Sequence, residues 1–169
     1  MPQFQMDTSG KVEQPDSNPA MRTYVGRYRS DDKFGPLSWC DLDTFTQAYI
    51  EAMFFTESGD GRHLTDKGFS DLSPEALTSI IADCQAFQCT PAYTSVRNAE
   101  DNEELGDLFE SCGGVSTQAG HDFWMTRQGH GCGFCDGDWP EPYASALDAA
   151  AKVAGECEPY LGDDGLIYL

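Results

Sequence analysis

Gly120-His-Asp-Phe-Trp-Met-Thr-Arg-Gln-Gly-His-Gly-Cys-Gly-Phe-Cys-Asp136 is the stretch on which the fold class turns. Residues 123–127 and 132–136 are short, β-prone runs, and Gln128-Gly129-His130-Gly131 between them reads as a glycine-rich turn. Two such runs about such a turn predict a β-hairpin. A second hairpin is predicted at the end of the chain. There Tyr160-Leu161 and Leu166-Ile167-Tyr168 flank Gly162-Asp163-Asp164-Gly165, and Asp-Gly is a favourable turn dipeptide.

Outward from this segment the pattern is helical. Phe45, Tyr49 and Met53 recur every four residues with Ile50 and Phe54 beside them, which predicts a helix over 42–56 capped by Asp41 or Asp43. Ser73-Pro74-Glu75 is a strong helix start, with a serine cap, proline in the first turn and a carboxylate at the positive end. Leu77, Ile80, Ile81, Cys84 and Phe87 then share one face up to Pro91, which makes Cys84 a buried core thiol. A third helix is predicted over 99–112, capped by Asn98, burying Leu105, Leu108 and Phe109, and stopped by Gly113-Gly114. The last helix follows Pro142, with Tyr143, Leu147, Ala150, Val153 and Ala154 inward and Gly155 as its stop.

The expected fold is α+β: three or four helices packed on a small antiparallel sheet built from hairpins, with a flexible N-terminal arm. Residues 1–20, polar and holding Pro2, Pro15 and Pro19, read as a flexible tail. Residues 21–40 read as an irregular arm in which Tyr24, Tyr28, Phe34 and Trp39 alternate with Arg22, Arg27 and Arg29, with room for a short strand over 23–28. Residues 41–169 read as a single α+β domain. The arm could dock on the chain's own acidic surface or on a second copy, so a homodimer is one expected assembly.

Charge constrains the partner. The 169 residues hold 29 acidic and 10 basic side chains, a net charge of −19. Such a surface repels phosphate backbones and anionic membranes, which argues against direct nucleic-acid or membrane binding. It is attracted to basic surfaces, among them the grooves in which other proteins hold DNA or RNA. A merely solubilising surface is the bland alternative; adaptation to high salt is another, which seven cysteines and abundant aromatics fit less well. Glu100, Asp101, Glu103, Glu104, Asp107 and Glu110 fall in the third helix without a basic neighbour, and form the candidate partner-binding face. No apolar run approaches the roughly 20 residues of a membrane span. The first residues, Met-Pro-Gln-Phe-Gln-Met-Asp, have neither the basic nor the apolar region of a secretory signal. Reduced thiols in a cytosol are therefore expected.

The 120–136 segment also concentrates reactive groups. His121, Asp122, Arg127, His130 and Asp136 are the candidate catalytic or ligand-binding set, a histidine serving as acid–base group and Arg127 holding an anion. The structural alternative has Asp122 as a cap, Arg127 in an ion pair and the glycines turning the hairpin. Cys132-x-x-Cys135 with His130 has zinc-ligand spacing. No second pair stands at the usual distance, and on a regular strand the two thiols would face opposite ways. The expectation is no cofactor, with zinc as the alternative. The nucleophile elbow, the phosphate-binding loop and the His-Glu-x-x-His motif are all missing.

The run from Ala119 to Asp136, read as Gly-His-Asp-Phe-Trp-x-Thr-Arg-x-Gly-His-Gly-x-Gly-Phe, resembles a segment shared by small, acidic, largely uncharacterised proteins of tailed bacteriophages. The likeness extends through Ala48-Tyr49-Ile50-Glu51 and Leu72-Ser73-Pro74-Glu75 to Asp163-Asp164-Gly165. It implies a phage or prophage origin and action in the cytoplasm of a bacterial host, and transfers no activity. His121, Asp122, Arg127, His130 and Asp136 match that pattern. Alanine and tryptophan are expected where this chain has Cys132 and Cys135, which weakens the zinc reading. The function expected is inhibition of a nucleic-acid-binding host or anti-phage defence protein by nucleic-acid mimicry, of the anti-CRISPR or anti-restriction kind. The partner surface would be a basic groove. The alternatives are a small enzyme or ligand-binding protein using residues 121–136, and a structural or interaction protein of phage development.

Overall fold

The computed structural model describes residues 37–58, 62, 64–101 and 105–169 and the pairs 5–6 and 12–13, with backbone alone at 5–6, 12–13, 100 and 101. The chain divides into two units, Met1–Asp43 and Thr44–Leu169. In the first, β1 (Gln5–Met6) pairs antiparallel with β2 (Val12–Glu13), Gln5 opposite Glu13 and Met6 opposite Val12. A 3-10 turn at Trp39–Asp41 is closed by the Asp41 carboxylate, which accepts from the Ser38 amide at 3.0 Å and its hydroxyl at 2.8 Å. The remainder of the predicted tail and arm, including the strand over 23–28, lies outside the described residues.

The second unit contains α1 (Thr44–Glu57), α2 (Pro74–Gln88), α3 (Pro91–Asp101), α4 (Gly106–Phe109), α5 (Val115–Arg127) and α6 (Tyr143–Ala154). It ends in the hairpin of β3 (Tyr160–Leu161) and β4 (Ile167–Tyr168), in the predicted place. The expectation of helices packed on a sheet is overturned. Among the described residues this unit is helical, and its strands are that one two-residue hairpin plus a single parallel bridge between Leu72 and Ile167.

The decisive correction is at 120–136, which is the end of a helix and an irregular loop instead of a hairpin. In α5, Val115, Ala119, Gly120, Asp122, Phe123, Trp124, Met125 and Arg127 are all buried, so the helix is covered around most of its circumference. A helix enclosed in this way shows no 3.6-residue alternation, and Phe-Trp-Met cannot be told from a strand by periodicity. Gly129, with φ +68°, closes the helix: its amide bonds to Thr126 C=O and the His130 amide to Met125 C=O, both at 3.1 Å. These are the two bonds of a Schellman C-terminus.

The continuous third helix is also corrected. Pro91 both follows α2 and opens α3, and Thr90 caps the new helix by accepting from the Tyr93 amide at 3.2 Å. Tyr93, Val96 and Ala99 face the core, Asn98 sits inside the helix, and α4 is a separate short element. Leu105 and Phe109 are buried, whereas Leu108 is exposed. In α6 Leu147 is buried, but Val153 and Ala154 point outward, because Ala144 and Ala151 supply the inward face. The start of α2 is as predicted, with the Ser73 hydroxyl accepting from the Ala76 amide at 3.0 Å and Cys84 fully buried.

The core is aromatic. Phe87 stacks on Phe123 at 4.2 Å and on Phe134 at 5.7 Å, and Tyr49 meets Trp124 edge-on at 5.2 Å. The most extensive helix pair is α1 with α5. Gly120 makes that crossing possible, since a Cβ there would overlap the Phe45 carbonyl group.

Candidate functional site

The signature residues fall into two separate clusters. Arg127 is buried at the end of α5. It donates to the Tyr49 hydroxyl at 2.7 Å, to Asp83 at 2.8 Å, to Gly155 C=O at 2.8 Å and to Ala154 C=O at 3.4 Å. It also lies over the rings of Tyr49 and Phe123, at 5.9 and 5.4 Å. One guanidinium thus joins α1, α2 and α5 to the last carbonyls of α6, which lack helical partners. Burial pushes the neighbouring Tyr49 hydroxyl well above its ordinary pKa and raises the Cys157 thiol. Arg127 is a clamp here, with its side chain only 4% exposed and every nitrogen engaged.

Asp122 is the centre of the second cluster. Its carboxylate, 1% exposed, accepts from Trp139 Nε1 at 2.6 Å and Gln118 Nε2 at 2.9 Å, and meets His121 Nδ1 at 2.8 Å. That hydrogen bond is the main cause of a raised His121 pKa; burial opposes it, and the charges of Asp122 and Asp136 add to it. A buried carboxylate fixing one imidazole nitrogen while 41% of the histidine side chain stays exposed is an acid–base-competent arrangement. His130 and Asp136 lie exposed on the following loop. The five candidate residues are therefore divided: His121, Asp122 and Asp136 share one electrostatic neighbourhood, Arg127 is committed elsewhere, and His130 stands exposed on the loop.

The loop is seated by Thr126, whose hydroxyl accepts from the Phe134 amide at 3.1 Å. Gly133 passes so close to Thr126 that a Cβ would overlap that hydroxyl. Cys132 and Cys135 are exposed and free. Among the described residues no group of three or more His, Cys, Asp or Glu side chains is gathered as a metal-ligand set.

An open groove runs along the α1–α5 pair. Ala48, Glu51, Ala52 and Phe55 line it from α1, and Thr117, Gln118 and His121 from α5. Cys112, on the 3-10 turn before α5, lines it too. The sequence reading missed this groove, although its signal was present: 48, 51, 52 and 55 are one helical stripe. No protein-family model matches the chain, nor does any curated protein or solved structure. No helix among the described residues is long and apolar enough to cross a membrane.

The acidic charge is unevenly divided. Residues 1–43 hold seven acidic and five basic side chains, and residues 44–169 hold 22 and five. Of those five basic residues, four are in ion pairs: Arg62 with Glu57, Lys67 with Asp71, Arg127 with Asp83 and Lys152 with Asp148. Twelve described carboxylates in this unit are exposed, seven of them between Asp136 and Asp164. In the predicted acidic helix, Asp107 and Glu110 are exposed, Glu100 and Asp101 close α3, and Glu103 and Glu104 lie outside the described residues.

Proposed function

We propose that the chain binds and inhibits a basic, nucleic-acid-binding protein of a bacterial host or its anti-phage defences, setting carboxylates where phosphates would sit. The observation that carries this reading is the charge of residues 44–169: 22 acidic side chains against five basic ones, four of which are already paired within the fold. Carboxylates left without internal counter-charges gain most from lysines and arginines supplied by another molecule. The bacteriophage-like signature at 119–136 supports the setting, which is the host cytoplasm. Carboxylate-for-phosphate substitution makes affinity salt-dependent. In capture from bacterial lysate at about 50 and about 200 mM salt, a basic partner should be retained at the lower concentration only, and duplex DNA should displace it. Capture that is indifferent to salt and to DNA overturns the mimicry.

A second reading, a small ligand-binding or acid–base site, is favoured by one observation, the His121–Asp122 pair beside an open groove. A His121→Ala variant that folds normally and keeps full biological effect removes it.

A further inference from the structure

We propose that the α1–α5 groove seats an arginine side chain presented by the basic partner. The inference rests on the function proposed above and specifies where that partner is gripped.

An arginine pocket needs an apolar bed for the aliphatic stem, a flat face for the guanidinium and a carboxylate to meet its N–H fork. The stripe on α1 has all three. Ala48 and Ala52 are buried at 4% and 2%, and their methyl groups form a shallow floor. Phe55 is 78% exposed, a large aromatic face turned to solvent, although Phe45, Tyr49, Ile50 and Met53 of α1 are buried in the core. Glu51 is exposed, one helical turn before Phe55 and on the same side of α1. A guanidinium stacked on the Phe55 ring can reach the Glu51 carboxylate, which combines a cation–π contact with a charged hydrogen bond. Lysine, a compact and strongly hydrated charge without a planar fork, fits the same features less well.

Charge complementarity selects this occupant. The groove lies in the unit that holds 22 acidic and five basic residues, so an incoming cation is drawn to it and an anion is repelled. On the opposite wall His121 is bonded to Asp122 and feels the charge of Asp136, Glu51 lines the same groove, and the imidazole is neutral once the pH exceeds its raised pKa. At lower pH its protonation sets a positive charge against the arginine.

The test uses the full chain and two probes, acetylated hexa-arginine amide and hexa-lysine amide, followed by calorimetry and by NMR of the labelled protein. Hexa-arginine should shift the resonances of Ala48, Ala52 and Phe55 and bind more tightly than hexa-lysine. Phe55→Ala and Glu51→Gln should each weaken hexa-arginine, Phe55→Ala by roughly threefold to fivefold, and Phe55→Ala should bring the two peptides close to equal affinity. Both positions are exposed, so circular dichroism and thermal melting should match the parent. If hexa-arginine binds salt-dependently but equally to both variants, or shifts only residues 136–164, the groove assignment is overturned while the acidic-surface reading stands. If neither peptide binds at low salt, both are overturned.

Discussion

Replacing Arg127 by methionine keeps most of the aliphatic volume of the side chain and deletes its guanidinium. Four acceptors then lose their donor. Gly155 C=O and Ala154 C=O, at the end of α6, can turn partly to water because the segment is exposed. Asp83, with 37% of its side chain exposed, rehydrates and so contributes well under the value of a fully buried charge. The Tyr49 hydroxyl is fully buried and loses its Arg127 donor, with the Cys157 thiol close by. Charged hydrogen bonds contribute about 1.5–3 kcal/mol each when intact. Discounting Asp83 and the long 3.4 Å bond, and crediting the recovered desolvation of the cation, leaves a net loss of about 3 kcal/mol. For a chain of this length that lowers the melting temperature by roughly 6–12 °C. Urea denaturation followed by circular dichroism at neutral pH measures it directly. A double-mutant cycle with Tyr49→Phe then isolates the buried contact, with an expected coupling of about 1 kcal/mol. If Arg127→Met costs less than about 1 kcal/mol, the guanidinium is not the clamp described and a ligand-binding role for it returns.

Gly120→Ala gains about 1 kcal/mol of helix propensity, yet it must separate α1 from α5, and a net loss of about 2 kcal/mol or more is expected in urea denaturation; a neutral or stabilised variant contradicts the close crossing. His121 has its pKa raised by the Asp122 hydrogen bond. Its stabilisation is therefore complete below the ordinary value of 6.5 and fades as pH rises through the folded value. The stability difference between wild type and His121→Gln should be larger at about pH 5.5 than at about pH 8.5, and Asp122→Asn should move the His121 NMR titration downward. A wild-type midpoint at or below 6.5 would contradict the pairing. Thr126→Val removes the acceptor of the Phe134 amide and should cost about 1–2 kcal/mol, with faster hydrogen exchange at Phe134; unchanged exchange there would mean the loop is held by its rings alone.

The core faces of α1 and α2 were legible in their spacing, whereas that of α6 was only partly so, since Val153 and Ala154 point outward. Phe45, Tyr49 and Met53, and Leu77 to Phe87, carry their burial in their spacing, and Ser73-Pro74 marks a start by local hydrogen bonding alone. The terminal hairpin was legible for the same reason, since Asp163-Asp164-Gly165 specifies its turn locally. What misled was α5. Its side chains are buried nearly all round, so the alternation that separates helix from strand disappears, and the fold class changed with that one element. Pro91 carried a similar ambiguity, ending one helix and beginning another.

The candidate site divides in the same way. Composition alone determined the excess of carboxylates, and local sequence determined the adjacent His121–Asp122 pair. Tertiary structure decided the rest. Arg127 is bound to Tyr49 and Asp83, 78 and 44 residues away, and Trp139 reaches back to Asp122. The groove exists because Gly120 lets two helices distant in sequence approach closely. Charge and helical stripes are properties of residues and their near neighbours, and the amino-acid order states them. Which buried charge is satisfied, and which apolar stripe is left facing solvent, depend on the neighbours that packing supplies.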